Sequence, residues 1–439
     1  MKRGFVFVLI WLSLTAEVEG TIFEGKWSTP LTTLGTFLFK GLPGIHIVPW
    51  DALLMLALAL TLPGAAKGRI RAVVRSIQLS FAALAALWVW GVLRGGSAYQ
   101  TIWQLHAFVM GLFVALLVAN TCRTLKDVEA LGKVLLFACL YRCLVLLVFY
   151  FSVAKGHDPP LPTLTDHCDS VLFVTGLYVA VIAALERRTP KAFGWAALTA
   201  VLVFTAIALN GRRIGWLGVA VGAGMVYLLM PAGKVKRGLT KLALALSPLL
   251  VVYVVVGWGN PSGIFKPVGS ISTMFGSNQD TSSVMRDIEN YNLMKTLKTN
   301  PLLGTGWGHE YVEEVMAYDI ASIFPQYRYL PHNSLLGALA FTGIFGFAGL
   351  WQVVPVASYL HGRTCWFGEN PKARTAALAS LIAMIIITIQ MWGDVGFNHI
   401  GVNTLLGVAI GLSARLPSLS GAWPPPATAV AGAQMRGKT

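Results

Sequence analysis

Two adjacent arginines, Arg212 and Arg213, stand in a very short polar turn, Asn210-Gly211-Arg212-Arg213-Ile214-Gly215, between two long apolar runs. A helix N-terminus attracts anions through its unpaired N–H groups and its dipole, and these arginines sit where the second run begins. Guanidinium forks match phosphate oxygens in pairs, so the turn reads as a phosphate site. The competing reading is a pair of side chains reaching for lipid headgroups. Further on, His332 follows Pro331 and opens another apolar run, with Asn333 and Ser334 placed to cap the helix. Imidazole exchanges its proton near neutral pH, so a polar-facing histidine at a helix start could serve as a general base. A hydrogen-bonded interface histidine is the plainer alternative, and His309 and His399 compete for the role.

Between the two sites, Arg286 lies in a helix-like stretch from Ser283 to Leu297, followed by Asn300-Pro301-Leu302-Leu303-Gly304-Thr305-Gly306-Trp307-Gly308. Gly304 and Gly306 allow close backbone approach, but the Gly-Lys-Ser/Thr ending of a Walker loop is missing. Arg142 falls near the middle of an apolar run, where a charge is costly and calls for a partner such as Asp51 or Asp169, or an anion. His309-Glu310-Tyr311-Val312-Glu313 has a glutamate where a zinc helix needs its second histidine. Glu310, Glu313 and Glu314 read instead as a solvated helix face. The five cysteines show no paired metal spacing, and no metal or cofactor is expected.

These residues must be positioned by membrane helices. The chain is 55% hydrophobic and only 12% charged, where a soluble protein carries about a quarter charged residues. Spans of about 17 to 25 apolar residues fall near 4–17, 45–63, 76–93, 99–120, 133–153, 168–185, 192–210, 214–230, 241–258, 333–359, 375–393 and 399–414. The expected class is an all-α polytopic membrane protein of about twelve helices. A cleaved signal peptide rivals the first span, but Ala16-Glu17-Val18-Glu19-Gly20 is a poor cleavage site. With the N-terminus inside, roughly two-thirds of the 34 Lys and Arg lie in the inner loops and termini, and every short inner loop is basic. The formal charge of +15 is therefore a topology signal, and nucleic acid is excluded as a partner. The expected division is helices one to nine in 1–258, an outer segment in 259–332, helices ten to twelve in 333–415, and a disordered cytoplasmic tail in 416–439.

An arginine turn opening a helix, an outer loop with Arg286 and Asn300-Pro301-Leu302-Leu303-Gly304-Thr305-Gly306, then His332-Asn333 with Gly343 and Gly346 beyond, form an ordered set. The set resembles the O-antigen ligase and polymerase superfamily over roughly 205–350, and the twelve-helix plan extends the likeness along the chain. The resemblance implies a GT-C-like integral membrane glycosyltransferase of lipopolysaccharide biosynthesis. Such an enzyme takes a glycan from undecaprenyl diphosphate at the periplasmic face of the bacterial inner membrane, inverting and metal-independent. It implies His332 as base and Arg213 and Arg286 as the diphosphate clamp, with Arg212, Arg142, Asn333, Gly304 and Gly306 in substrate binding. The family often has Ser-Arg at the turn, so Arg213 is the better match and Arg212 the departure. A lipid A–core hydroxyl is the expected acceptor, with membrane lipids around a monomer. The alternatives are a polymerase using a glycan acceptor and, more distant, a non-catalytic polysaccharide transporter.

Overall fold

Inside a bilayer no water is present to satisfy backbone N–H and C=O groups, so an apolar run must bond within itself as a helix. The computed structural model describes residues 2–16, 27–40, 48–62, 68–158, 161, 164–230, 233–260, 263–272, 281–317, 319, 321 and 325–423. Among them the order is α1 (Lys2–Thr15), α2 (Pro30–Phe39), α3 (Pro49–Thr61), α4 (Arg71–Leu93), α5 (Ala98–Thr121) and α6 (Leu125–Ser152), then α7 (His167–Arg187), α8 (Pro190–Asn210), α9 (Arg213–Leu229) and α10 (Lys234–Gly257). The short α11 (Lys266–Ser272) and the longer α12 (Thr281–Thr299) precede α13 (Ser334–Trp351), α14 (Val353–Phe367), α15 (Pro371–Gly393), α16 (Ile400–Ser413) and α17 (Leu416–Leu419). Eight of the described segments are long and apolar enough to cross a membrane, α13 and α14 together making one; α3, α9 and α16 are shorter apolar helices. The chain is thus an all-α, multi-pass membrane protein, with a helix at each expected span.

Small residues set the closest packing, as helices in lipid require. A Cβ on Gly407 would lie 2.2 Å from the Gly111 carbonyl oxygen, and one on Gly411 would lie 2.5 Å from that of Ala115, so α16 rides directly on α5. The α7 segment is 78% buried along its apolar window while that of α10 is not buried at all. One is the axis of the bundle and the other a lipid-facing outrigger.

The expected span 333–359 is built from two helices, and the first is itself broken. Gly343 has φ 63° and ψ −177°, a conformation open to glycine alone. The backbone groups released by the break are met by the glycine loop: Gly306 N–H donates to Phe341 O at 2.8 Å, and Ile344 N–H donates to Pro301 O at 2.9 Å. Within the expected tail from Leu416, the described residues 416–423 pack against the bundle. Leu416 and Pro417 are buried, and Arg363 donates to Ala422 O at 2.6 Å and lies over the Trp423 ring. The remainder, 424–439, lies outside the described residues.

Loops expected on the basic side meet at one end of the bundle. Arg3 pairs with Asp127, Arg374 with Glu186, and Arg69 donates to Asn120. Loops expected on the other side meet at the opposite end, where Asn210 Oδ1 accepts from Leu164 N–H at 3.0 Å and Thr165 N–H at 3.1 Å.

Candidate active site

The α12 helix organises this second end through a mostly polar buried stripe, Glu289, Asn292, Leu293 and Thr296. Asn292 and Thr296 turn inward: Asn292 Oδ1 accepts from Glu314 N–H at 3.1 Å and Val315 N–H at 3.2 Å, and Thr296 Oγ1 accepts from Val312 N–H at 2.8 Å. These bonds tie the backbone at Val312, Glu314 and Val315 to α12, and the expected solvated helix face is an irregular loop. Its three glutamates each tie it down. Glu310 pairs with Arg328, Glu313 accepts from Tyr327 Oη at 2.7 Å, and Glu314 lies 2.9 Å from Lys295. The Lys295 hydrogen bond, with one from Tyr291, holds the Glu314 carboxyl below the usual range.

The first half of α12 carries the site. Ser283 Oγ accepts from Arg213 Nη1 at 3.2 Å. Arg286, one turn later, is near enough for its charge to act on that of Arg213, and its buried Nε donates no hydrogen bond to a described residue. One more turn brings Glu289, whose side chain is 2% exposed. Its carboxylate accepts the His332 backbone N–H at 3.2 and 3.1 Å and faces His332 Nδ1 at 3.4 Å. Asn333 Nδ2 donates to Asn290 Oδ1 at 2.9 Å, while Asn333 Oδ1 caps α13 by accepting from Leu336 N–H at 3.0 Å. From Ser283 to Glu289 the helix rises only about 9 Å. Three positions scattered through the sequence, Arg213, Arg286 and His332, are therefore gathered on one face.

The two arginines of the turn point to different neighbours. Arg212 Nη2 donates to Thr165 O at 3.2 Å and Nη1 lies 3.6 Å from Asp394. Ser334 Oγ joins the same corner, accepting from Gly396 N–H at 3.1 Å and donating to Asp394 O at 3.3 Å. Asp166 meets His399 Nε2 at 2.7 Å, and His399 Nδ1 caps α16 by accepting from Gly401 N–H at 3.2 Å. Arg142 is buried with Asp169, its Nε and Nη2 donating to the two carboxylate oxygens at 2.8 and 2.5 Å. The other suggested partner, Asp51, bonds His106 instead.

Gly304 and Gly306 face protein. A Cβ on Gly304 would meet Phe341 backbone atoms at 2.3 Å, and one on Gly306 would meet the Gly91 Cα at 2.5 Å. His309 likewise packs inward, its Nε2 3.2 Å from Gly91 O. Glu289 escaped the sequence reading. The signal was present as helical spacing, since Ser283, Arg286 and Glu289 repeat every third position on a helix-like stretch. Among the described residues, no three His, Cys, Asp or Glu side chains come together as a metal-ligand set.

Residues 198–351, which hold the turn, α12 and His332, match the O-antigen ligase family model. This stretch is similar to an O-antigen ligase domain. No curated protein matches the chain in sequence. The domain supports a membrane glycosyltransferase of the ligase or polymerase type, with lipid-linked glycans as its class of substrate. Arg142, Asp166, Asp394 and His399 lie outside the matched O-antigen ligase stretch but brace its corner.

Proposed function

We propose that the protein is an O-antigen ligase that transfers a glycan from undecaprenyl diphosphate to a lipid A–core hydroxyl. The reaction takes place at the periplasmic face of the inner membrane, in a twelve-helix, GT-C-like frame. What carries the proposal is the single face of α12, which sets the Arg213–Arg286 pair beside the His332–Glu289 pair.

Arg213 and Arg286 bind the diphosphate and stabilise the charge it gains on leaving. Loss of one comparable preorganised donor costs roughly 3–4 kcal/mol. Glu289 accepts Nδ1–H of His332, which makes Nε2 the basic nitrogen. Nε2 takes the proton of the acceptor hydroxyl, whose oxygen attacks the anomeric carbon from the face opposite the diphosphate. The anomeric C–O bond breaks, undecaprenyl diphosphate leaves with the electron pair, and the configuration inverts. General-base assistance contributes about 10²–10⁴-fold. Diphosphate is already a good leaving group, so the step is metal-independent. Arg212 and Arg142 hold the loops that wall the diphosphate, Asn333 fixes the start of α13, and Gly304 and Gly306 support its break behind the site.

The test uses purified protein in detergent with undecaprenyl-diphosphate glycan, lipid A–core and EDTA, followed by gel shift for wild type and His332→Ala. Transfer by wild type and its loss in a folded mutant support the ligase and its base. Longer lipid-linked chains with unmodified lipid A–core would replace it with the polymerase, which uses the same chemistry. Wild-type rates from His332→Ala would refute the mechanism. Any new glycosidic bond formed without an energy source excludes the transporter.

A further inference from the structure

At the end opposite this site, a cavity of about 560 Å³ lies between α6, α7, α8, α15 and α16. Its inner wall is apolar and hollowed by small side chains, among them Gly132, Ala180, Ala183 and Ala379. Its rim is basic. Lys133, Arg187 and Lys372 converge on the one carboxylate of Glu129, at 3.7, 3.2 and 2.6 Å, and Lys191 lines the same cavity. One carboxylate cannot neutralise four cations, so the mouth keeps an excess of positive charge. From Arg187 at the rim to Thr175 in the wall, α7 runs about 18 Å, close to the ~15 Å of half a bilayer's hydrocarbon core. Phe137 and Trp195 meet edge to face at the cavity's side and are 51% and 38% exposed.

A cationic mouth and an apolar shaft one leaflet deep match one class of molecule. We propose that the cavity binds an anionic phospholipid from the leaflet at the basic end. The phosphate sits among Lys133, Arg187, Lys191 and Lys372. An acyl chain fills the shaft. Basic pockets between membrane helices hold anionic headgroups in this way. The site lies apart from the transfer chemistry and does not depend on it.

Native mass spectrometry of the full chain, released from micelles containing equal phosphatidylglycerol and phosphatidylcholine, tests the proposal. The wild type is expected to retain phosphatidylglycerol selectively. Each basic residue near the surface is worth about fivefold in affinity, so Arg187→Gln with Lys372→Gln lowers retention about 30-fold. Glu129→Gln removes the competing carboxylate and raises it. Ala183→Leu leaves the rim intact but fills the shaft, and it too abolishes retention. Equal retention of the two lipids by wild type would overturn the proposal. So would undiminished phosphatidylglycerol binding by Ala183→Leu, which would mean a surface headgroup patch only. Displacement of the lipid by inorganic phosphate would mean a simple anion site and would also overturn it.

Discussion

At the basic end, Arg374 forks the Glu186 carboxylate at 3.1 and 2.8 Å and Arg3 pairs with Asp127. At the opposite end, Arg213 rests on the Ser283 hydroxyl with a second guanidinium, that of Arg286, beside it. The first arrangement spends each charge on a neighbour and ties α15 to α7 and α1 to α6. The second sets like charges side by side, which raises the local positive potential, as the proposed diphosphate site requires. Residue type is the same in both places, and what differs is the company it keeps. The arginines at the basic end close the fold through carboxylates, whereas the proposed function assigns the Arg213–Arg286 pair to a substrate.

Arg286→Ala puts this contrast to its hardest test. Transfer should fall by roughly 3–4 kcal/mol in transition-state stabilisation, with helix content by circular dichroism and the unfolding temperature little changed. A large fall in unfolding temperature at near-normal turnover would place Arg286 among the structural arginines. Glu289→Gln comes next. As a positioning residue for His332 it should lower kcat by at least about tenfold, and by no more than the 10²–10⁴-fold that a general base supplies. The pH–rate profile should shift with it and Glu289→Asp should recover part of the loss; a change in KM alone would argue against the pair.

Arg374→Ala should show the opposite behaviour. Removing a charged, doubly hydrogen-bonded partner costs about 1.5–3 kcal/mol of stability, read as a lower unfolding temperature in detergent, while transfer by the folded fraction keeps its kcat. The smallest effect belongs to the exposed Lys295–Glu314 contact. Lys295 lowers the carboxyl's pKa in the folded chain, so the contact's stabilisation is full above the ordinary glutamate value of about 4.3. It is lost as pH falls through the lower, folded value. Hydrogen exchange in the 312–317 loop should therefore quicken beyond its intrinsic trend in acid, and Glu314→Gln should remove that excess.

The frame of the protein was legible in the sequence because hydropathy and charge asymmetry act locally. A run such as 192–210 has to be a helix in lipid whatever its neighbours do, and α8 spans Pro190–Asn210. Basic loops announce their side of the membrane one by one. Candidate chemistry was legible for a related reason: charged residues are costly at membrane borders, so Arg212, Arg213 and Arg142 stood out by type and depth. The α12 stretch was visible from its composition, and it is helical from Thr281 to Thr299.

What the sequence left open was who faces whom. Glu289 reads as one more acidic residue on an outer helix until the fold brings it to His332, 43 positions away. Arg212 and Arg213 are neighbours in the chain, yet one turns to Asp394 and the other to Ser283. Gly304 offered freedom for a ligand, and the fold filled that space with the broken backbone at Phe341 and Thr342. Local solvation chose the helices, their borders and their sides. Long-range packing chose the partners, because a side chain's charge is neutralised, stored or presented only by atoms that folding carries to it.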